Sequence, residues 1–246
     1  MSKTILITGA SSGIGQALSY ILAEKGYNLA LAARSIDVLE KMKGELTGKY
    51  PAIKVEVRKL DVTDYTAVPR VMNELAEVLG GLDIIYANAG IDEVGKVGTG
   101  IFEKHRKNIE VNLLGAIATV EAAVEYFKKR GQGHVMATSS IAEYRGLPNN
   151  SSYCAAKAGI SIFCEAARAE LHGTKIKITV LSPGFIDTPI NRKMKSRPFV
   201  IDVEKGARAI ARLMEKQVKR STVPVFPWNL VRRLLRILPT GMIAKM

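Results

Sequence analysis

A doubly wound parallel α/β sheet with helices on both faces is the fold that this 246-residue sequence predicts. Three observations lead there. Six short apolar runs of strand length recur along the chain, separated by long stretches rich in Ala, Leu, Glu and Lys. Strands that alternate with helices assemble as parallel pairs joined by right-handed crossovers, which buries both sheet faces. The first strand also runs straight into a glycine-rich turn, the junction at which such sheets hold nucleotides. No repeat, linker or low-complexity tract interrupts the pattern, so residues 1–246 read as one domain, and 47% hydrophobic content is ample for its core.

In chain order, strands are predicted at TILIT (4–8), NLALAA (28–33), IKVEVRKL (53–60), LDIIYA (82–87), HVMATS (134–139) and IKITVLS (176–182). Helices are predicted over 13–26, 35–48, 101–129 and 153–172, which have helix length and good helix formers. A late run, TVPVF (222–226), predicts an edge strand, because Pro224 has no N–H to give to a central ladder.

Composition narrows the function classes. Two cysteines, Cys154 and Cys164, are too few for a disulfide scaffold or a metal cluster, and the three histidines have no ligand spacing. No apolar stretch reaches bilayer length and the first residues lack the parts of a signal peptide, so a cytoplasmic setting is expected. The net charge of +13 is uneven: residues 1–191 hold 22 Lys/Arg against 20 Asp/Glu, and residues 192–246 hold 14 against 3. A basic C-terminal part suggests an acidic partner. No recognised DNA- or RNA-binding motif accompanies it, and nucleic acid is not expected.

The turn TGASSGIG (8–15) carries the first chemistry. Gly9 permits a tight turn, Gly13 lets backbone approach a pyrophosphate, and Gly15 lets the next helix pack closely on the sheet. Ser11 and Ser12 offer hydroxyls and N–H groups at a helix N-terminus, where the dipole favours negative charge, with Ile14 beside them. A dinucleotide site is the reading. The second strand then selects the dinucleotide: its end, LALAARS, has no carboxylate for an adenosine ribose diol. Arg34 can instead pair with a 2′-phosphate and Ser35 can add a hydroxyl, which points to NADP(H).

SSYCAAKAGI (151–160) places Tyr153 and Lys157 one helical turn apart on one face. Together with the turn, and in order, come LDVTD (60–64), ANAG (87–90), Asn112 in NIEVNLLG, TSS (138–140), YCAAK (153–157) and PGFIDT (183–188). With these motifs the chain resembles the short-chain dehydrogenase/reductase family to about residue 190, and the resemblance implies a Rossmann-type fold. It implies that Tyr153 is the acid/base, Lys157 its partner on the nicotinamide ribose, Ser140 the hydroxyl that polarises a substrate carbonyl, and Asn112 a positioner at a helix kink. Ser140 is preferred to Ser139 because the family's serine lies thirteen residues before its tyrosine. An ammonium one turn away, with the positive charge of a bound nicotinamide nearby, is expected to lower the phenol pKa from its usual value of about 10. The resemblance also assigns Asp61 and Val62 to the adenine, Asn88, Ala89 and Gly90 to the ribose edge, and Pro183, Gly184, Ile186 and Thr188 to the carboxamide and phosphates. Ala87 and Ala156 depart from the commoner Asn and Ser.

The expected activity is hydride transfer between NADP(H) and a small carbonyl or alcohol compound by a homodimer or homotetramer. A 3-oxoacyl-carrier-protein reductase and a non-catalytic NADP-binding regulatory protein are the alternatives. Glu143 and Tyr144 are candidates for the substrate pocket wall. The segment PINRKMKSRPFVID (189–202) falls where the family places its substrate loop, and Arg192, Lys193, Lys195 and Arg197 suggest attraction of an anionic substrate. In the tail from Trp228, Val231, Leu234, Leu235 and Leu238 recur at helical spacing among Arg232, Arg233 and Arg236. Packing on the body or on another subunit is the expected fate of that stripe, with peripheral membrane contact as the alternative.

Overall fold

The computed structural model describes residues 2–192, 194 and 196–244. Its seven strands are β1 (Thr4–Thr8), β2 (Asn28–Ala33), β3 (Val55–Lys59), β4 (Ile84–Ala87), β5 (Gln132–Thr138), β6 (Lys175–Pro183) and β7 (Arg220–Val223). All pairings are parallel, in the order β3-β2-β1-β4-β5-β6-β7. The chain walks outward from β1 to β3, then returns to place β4 on the other side of β1. At that reversal the connections leave in opposite directions, and a crevice opens beyond the C-terminal ends of β1 and β4.

Alternation along each strand builds two cores. Ile5, Ile7, Leu29 and Leu31 face one, with α1 (Gly13–Glu24), α2 (Ile36–Lys49) and α7 (Val203–Glu215) packed over them. Leu6, Ala30, Ala32 and Ile85 face the other, covered by α3 (Ala67–Leu79), α5 (Gly115–Arg130) and α6 (Ser151–Glu170). A period of two on strands therefore produces a three-layer sandwich. α3 was not singled out from the sequence, although Val68, Val71, Met72, Leu75 and Leu79 give it a clear buried stripe.

Two predicted elements come out differently. The single helix expected over 101–129 is α4 (Phe102–Ile109), a π-helical turn (Glu110–Leu114) and α5. The wider turn swings Asn112 inward, where its amide oxygen accepts from Ile91 N at 3.1 Å and its Nδ2 donates to Ile91 O at 2.8 Å. β7 ends at Val223, earlier than the expected 222–226, because Pro224 closes the ladder instead of lying within it. The chain then forms α8 (Trp228–Ile237) and the short α9 (Thr240–Ile243). Ile141, Tyr144, Trp228, Leu235 and Ile243 make a small third cluster that ties this tail to the C-terminal end of β5.

Candidate active site

A cleft of about 840 Å³ crosses the C-terminal ends of the strands, and every residue singled out above for catalysis or cofactor binding lines it. Its floor under β1 depends on glycine. Gly9 has φ +67°, and a Cβ there would lie 2.7 Å from the Cα of Ala89, so the β1 and β4 ends could not meet with a side chain between them. A Cβ on Gly15 would lie 2.5 Å from the carbonyl oxygen of Gly9, which lets α1 start hard against the turn. Thr8 fastens the same junction: its hydroxyl accepts from Asn88 N at 3.1 Å and Ala89 N at 3.2 Å, while Asn88 Nδ2 donates to its carbonyl at 3.1 Å.

The cradle fits a dinucleotide. Ser12 caps α1 with extended backbone but no side-chain hydrogen bond, and no acid stands in the first turn. The first N–H groups of a twelve-residue helix thus open on the cleft beside Gly13, Ser11 and Ser12. Arg34 and Ser35 line the far end just beyond β2. Arg34 is exposed and has no ion-pair partner among the described residues. Asp61 and Val62 follow β3, and Asp61 Oδ1 accepts from Thr63 N at 3.0 Å. Pro183, Gly184, Ile186 and Thr188 close the opposite wall at the end of β6.

At the centre, β5, α6 and the π turn bring Ser140, Tyr153, Lys157 and Asn112 to one place. Lys157 is buried, donates to Thr138 O at 3.0 Å and sits 5.6 Å from the centre of the Tyr153 ring. Ser140 caps the short 3-10 turn Ile141–Tyr144, its hydroxyl accepting from Ala142 N at 3.2 Å, and lines the cleft together with Tyr153. Ser139 points away: its hydroxyl donates to Lys157 O at 2.8 Å and lies 2.7 Å from Glu143 Oε2.

Burial raises the Tyr153 phenol well above its ordinary value; the hydrogen bond with Ser140 opposes this and Asp92 reinforces it. Burial likewise pulls Lys157 down to about 8, against the attraction of Asp92 and Glu143. Desolvation of both groups sets these directions. A phenol held protonated is suited to donate.

Three other expectations are corrected. Glu143 and Tyr144 do not line the cleft. The 3-10 turn carries them beneath it, where the Glu143 carboxylate is 1% exposed and accepts from Ser182 at 2.6 Å, Arg220 at 2.9 Å and Ser161. Burial would raise its pKa, but these donors outweigh that and leave it below the usual range. Second, the basic loop meets part of its own charge: Arg197 and Arg192 share Asp187, at 2.5 and 3.6 Å, and neither lines the cleft. The loop instead lends Pro189, Ile190, Asn191 and Met194 to the cleft. Lys193 and Lys195 lie outside the described residues. Third, Leu234 leaves the expected inward stripe of the tail and is exposed. Asp92 was missed altogether. It lines the cleft with one buried carboxylate oxygen lacking a partner, and burial raises its pKa. A lone aspartate in a loop gives no sequence signal.

Residues 3–198 match the short chain dehydrogenase family, and the chain belongs to it. An uncharacterized oxidoreductase of Mycobacterium tuberculosis is 39% identical over 238 residues, which cover 96% of this chain and 94% of that protein. Among solved structures, an alcohol dehydrogenase from the archaeon Thermococcus sibiricus complexed with 5-hydroxy-NADP superposes with a TM-score of 0.81 at 30% identity, covering 91% and 95% of the two chains. A short chain dehydrogenase/reductase from Burkholderia phymatum in complex with NAD gives 0.84 at 20% identity over 95% and 92%, a likeness of fold. The chain is therefore an oxidoreductase of a family that works on alcohol and carbonyl groups with a nicotinamide cofactor.

Proposed function

We propose that this protein is an NADP(H)-dependent carbonyl reductase or alcohol dehydrogenase that takes a small, largely apolar substrate. The convergence of Ser140, Tyr153, Lys157 and Asn112 beside an uncapped helix N-terminus carries the reading. When bound, the cofactor supplies or accepts the hydride. In reduction, Tyr153 gives its phenolic proton to the oxygen of the substrate carbonyl, and Ser140 donates a hydrogen bond to that same oxygen, an interaction that strengthens as charge develops. Lys157, fixed by Thr138 O, holds the nicotinamide ribose and lies on the route by which the phenol regains its proton. Asn112 positions this group through the Ile91 backbone.

Arg34 supports the choice of NADP(H), since an exposed, unpaired guanidinium at the end of β2 suits a 2′-phosphate. Ile91, Val94, Ile141, Leu147, Phe185 and Met194 supply the apolar substrate wall. Outward-facing Ile162 on α6 and Leu114 at the start of α5 support pairing of subunits through those helices. Steady-state kinetics with a panel of ketones and alcohols test the whole: kcat/KM is expected to be higher with NADPH than with NADH by tenfold or more. Arg34→Ala should raise KM for NADPH about tenfold to a hundredfold and leave KM for NADH unchanged, the range for losing a charge-assisted bond. A preference for NADH defeats the cofactor assignment.

A further inference from the structure

Helix α8 has two apolar faces, and the body covers one of them. Trp228, Val231, Leu235 and Leu238 point inward onto Ile141, Tyr144, Leu147 and Phe185. A Cβ at Gly184 would collide with the Trp228 indole, so this end of the helix is seated firmly. The second face is Leu230, Leu234 and Ile237, at positions i, i+4 and i+7, and Phe226 lies in the turn just before the helix. These four are 61%, 50%, 77% and 75% exposed, respectively, and Val225 and Met242 nearby are also exposed. Large apolar side chains scattered singly over a surface need no explanation, but three on one helix face with a fourth beside its start mark a binding surface.

The charge beside the stripe identifies the partner. From Lys216 to Met246 the chain holds seven Lys/Arg and no Asp or Glu. Arg232 and Arg236 lie 5.8 and 5.0 Å from the centre of the Tyr144 ring, which Arg220 also approaches at 5.2 Å. Among the described residues, Arg232, Arg233 and Arg236 have no carboxylate partner. A second copy of this helix would bring a second set of arginines with no acid to offset them, and like charges set against each other oppose association. A sheet of anionic lipid headgroups offers what is missing: negative charge for the arginines and an apolar layer beneath for Phe226, Leu230, Leu234 and Ile237.

We propose that α8 docks this protein on an anionic membrane surface, lying in the interface plane with the stripe inserted. Trp228, its first residue, stands 5.9 Å from Phe185 of the cleft wall and 5.9 Å from the exposed Phe199 of the substrate loop. Docking would therefore hold the substrate side of the cleft close to the lipid.

The full chain should be co-sedimented with vesicles of phosphatidylcholine alone and of phosphatidylcholine mixed with phosphatidylglycerol. Binding to the anionic vesicles is expected, weakening as salt rises, with partition into neutral vesicles at least tenfold lower. The double variant Leu230→Gln/Leu234→Gln should lose at least tenfold in partition while keeping its melting transition and its sedimentation coefficient. Arg233→Glu, which touches no part of the core, should also reduce binding and serves if the double variant does not fold. Failure of the parent to bind anionic vesicles, or equal binding by Arg233→Glu and the parent, overturns the proposal. So does a shift of the double variant to a smaller species, because a second copy would then cover the stripe.

Discussion

Helices α1 and α8 both begin at the rim of the cleft, one under the expected pyrophosphate and the other behind the substrate wall. α1 buries Gly15, Leu18, Ser19, Ile21, Leu22 and Ala23, which join it to the β1 turn and to the core shared with α7. α8 buries only Trp228 and Leu235, on a five-residue cluster of its own, and leaves its other apolar face outside. The contrast separates two jobs. The nucleotide side needs backbone held to fractions of an ångström, so its glycines and Thr8 are locked into the main core. The tail needs only a foothold, which leaves most of its surface available for a partner.

The largest effect that tests this division lies at the locked centre. Tyr153→Phe removes the proton donor and leaves the ring in place. We expect kcat to fall by about 10³-fold, within the range for losing general acid catalysis, with NADPH affinity retained in a fluorescence titration. Turnover at the parent rate would mean that the centre gathers these groups for another purpose.

Next comes the link between the two regions, the buried Glu143. It lies 2.7 Å from the Ser139 hydroxyl and accepts from Ser161 on α6, from Ser182 on β6 and from Arg220, whose guanidinium stacks on the Tyr144 ring under α8. Glu143→Gln removes the buried charge that Arg220 meets at 2.9 Å and leaves that guanidinium, among the described residues, only the exposed Glu165 at 3.8 Å. Because Arg220 is part-exposed, the cost is expected at or below the lower end of the about 3–5 kcal/mol for breaking a buried pair. Urea denaturation should show that loss, while kcat of the folded variant stays within severalfold of the parent, since the Ser139 hydroxyl keeps its bond to Lys157 O. A variant with parent stability would show that the tail and the centre are independent.

Acid should separate the regions again. His134 is buried on β5 against Thr179 at 2.9 Å, and burial, helped by Lys3, lowers its pKa to about 4. An unfolded histidine titrates near 6.5, so between those values the unfolded chain binds a proton that the native chain refuses. Stability thus falls as pH drops through that window, by about 3 kcal/mol at about 1.36 kcal/mol per unit. Glu143, also held below its usual range, continues the loss at lower pH as its carboxylate protonates. Stability measured from pH 7 to 4 should show this slope, and His134→Gln should flatten it. No histidine, aspartate or glutamate lies from residue 216 to 246, so the side chains of the tail add nothing to it.

The same division explains what was legible in the sequence. Where chemistry constrains the backbone, the residues announce themselves: Gly9 and Gly15 tolerate no Cβ, and Tyr153 and Lys157 must share a helix face. Strand bounds at β1 and β2 followed directly from apolar runs closed by a glycine turn and an arginine. Side-chain destinations decided by tertiary packing were not legible. Glu143 reads as a loop acid until the 3-10 turn carries it under the sheet, and Asp92 has no pattern at all. In α8, Leu234 and Leu235 are adjacent leucines, and only the position of Tyr144 and Phe185 decides which is buried. The desolvation of the phenol was equally illegible, because it belongs to the folded interior and not to the spacing of Tyr153 and Lys157.

The smallest effect discriminates most finely. Ser139 and Ser140 are adjacent at the end of a strand, so their side chains leave in opposite directions. Ser140 meets Tyr153, whereas Ser139 meets the Lys157 carbonyl and Glu143. Removing a hydroxyl that stabilises the developing oxyanion costs about 10²–10³ in kcat, the expectation for Ser140→Ala. Ser139→Ala removes one buried hydrogen bond, worth about 1 kcal/mol of stability, and leaves Glu143 its donors from Ser161, Ser182 and Arg220. Its kcat should stay within severalfold of the parent while its melting temperature falls by a few degrees. The reverse pattern would mean that β5 presents its other serine to the substrate, and the register at the centre of the cleft would have to move by one residue.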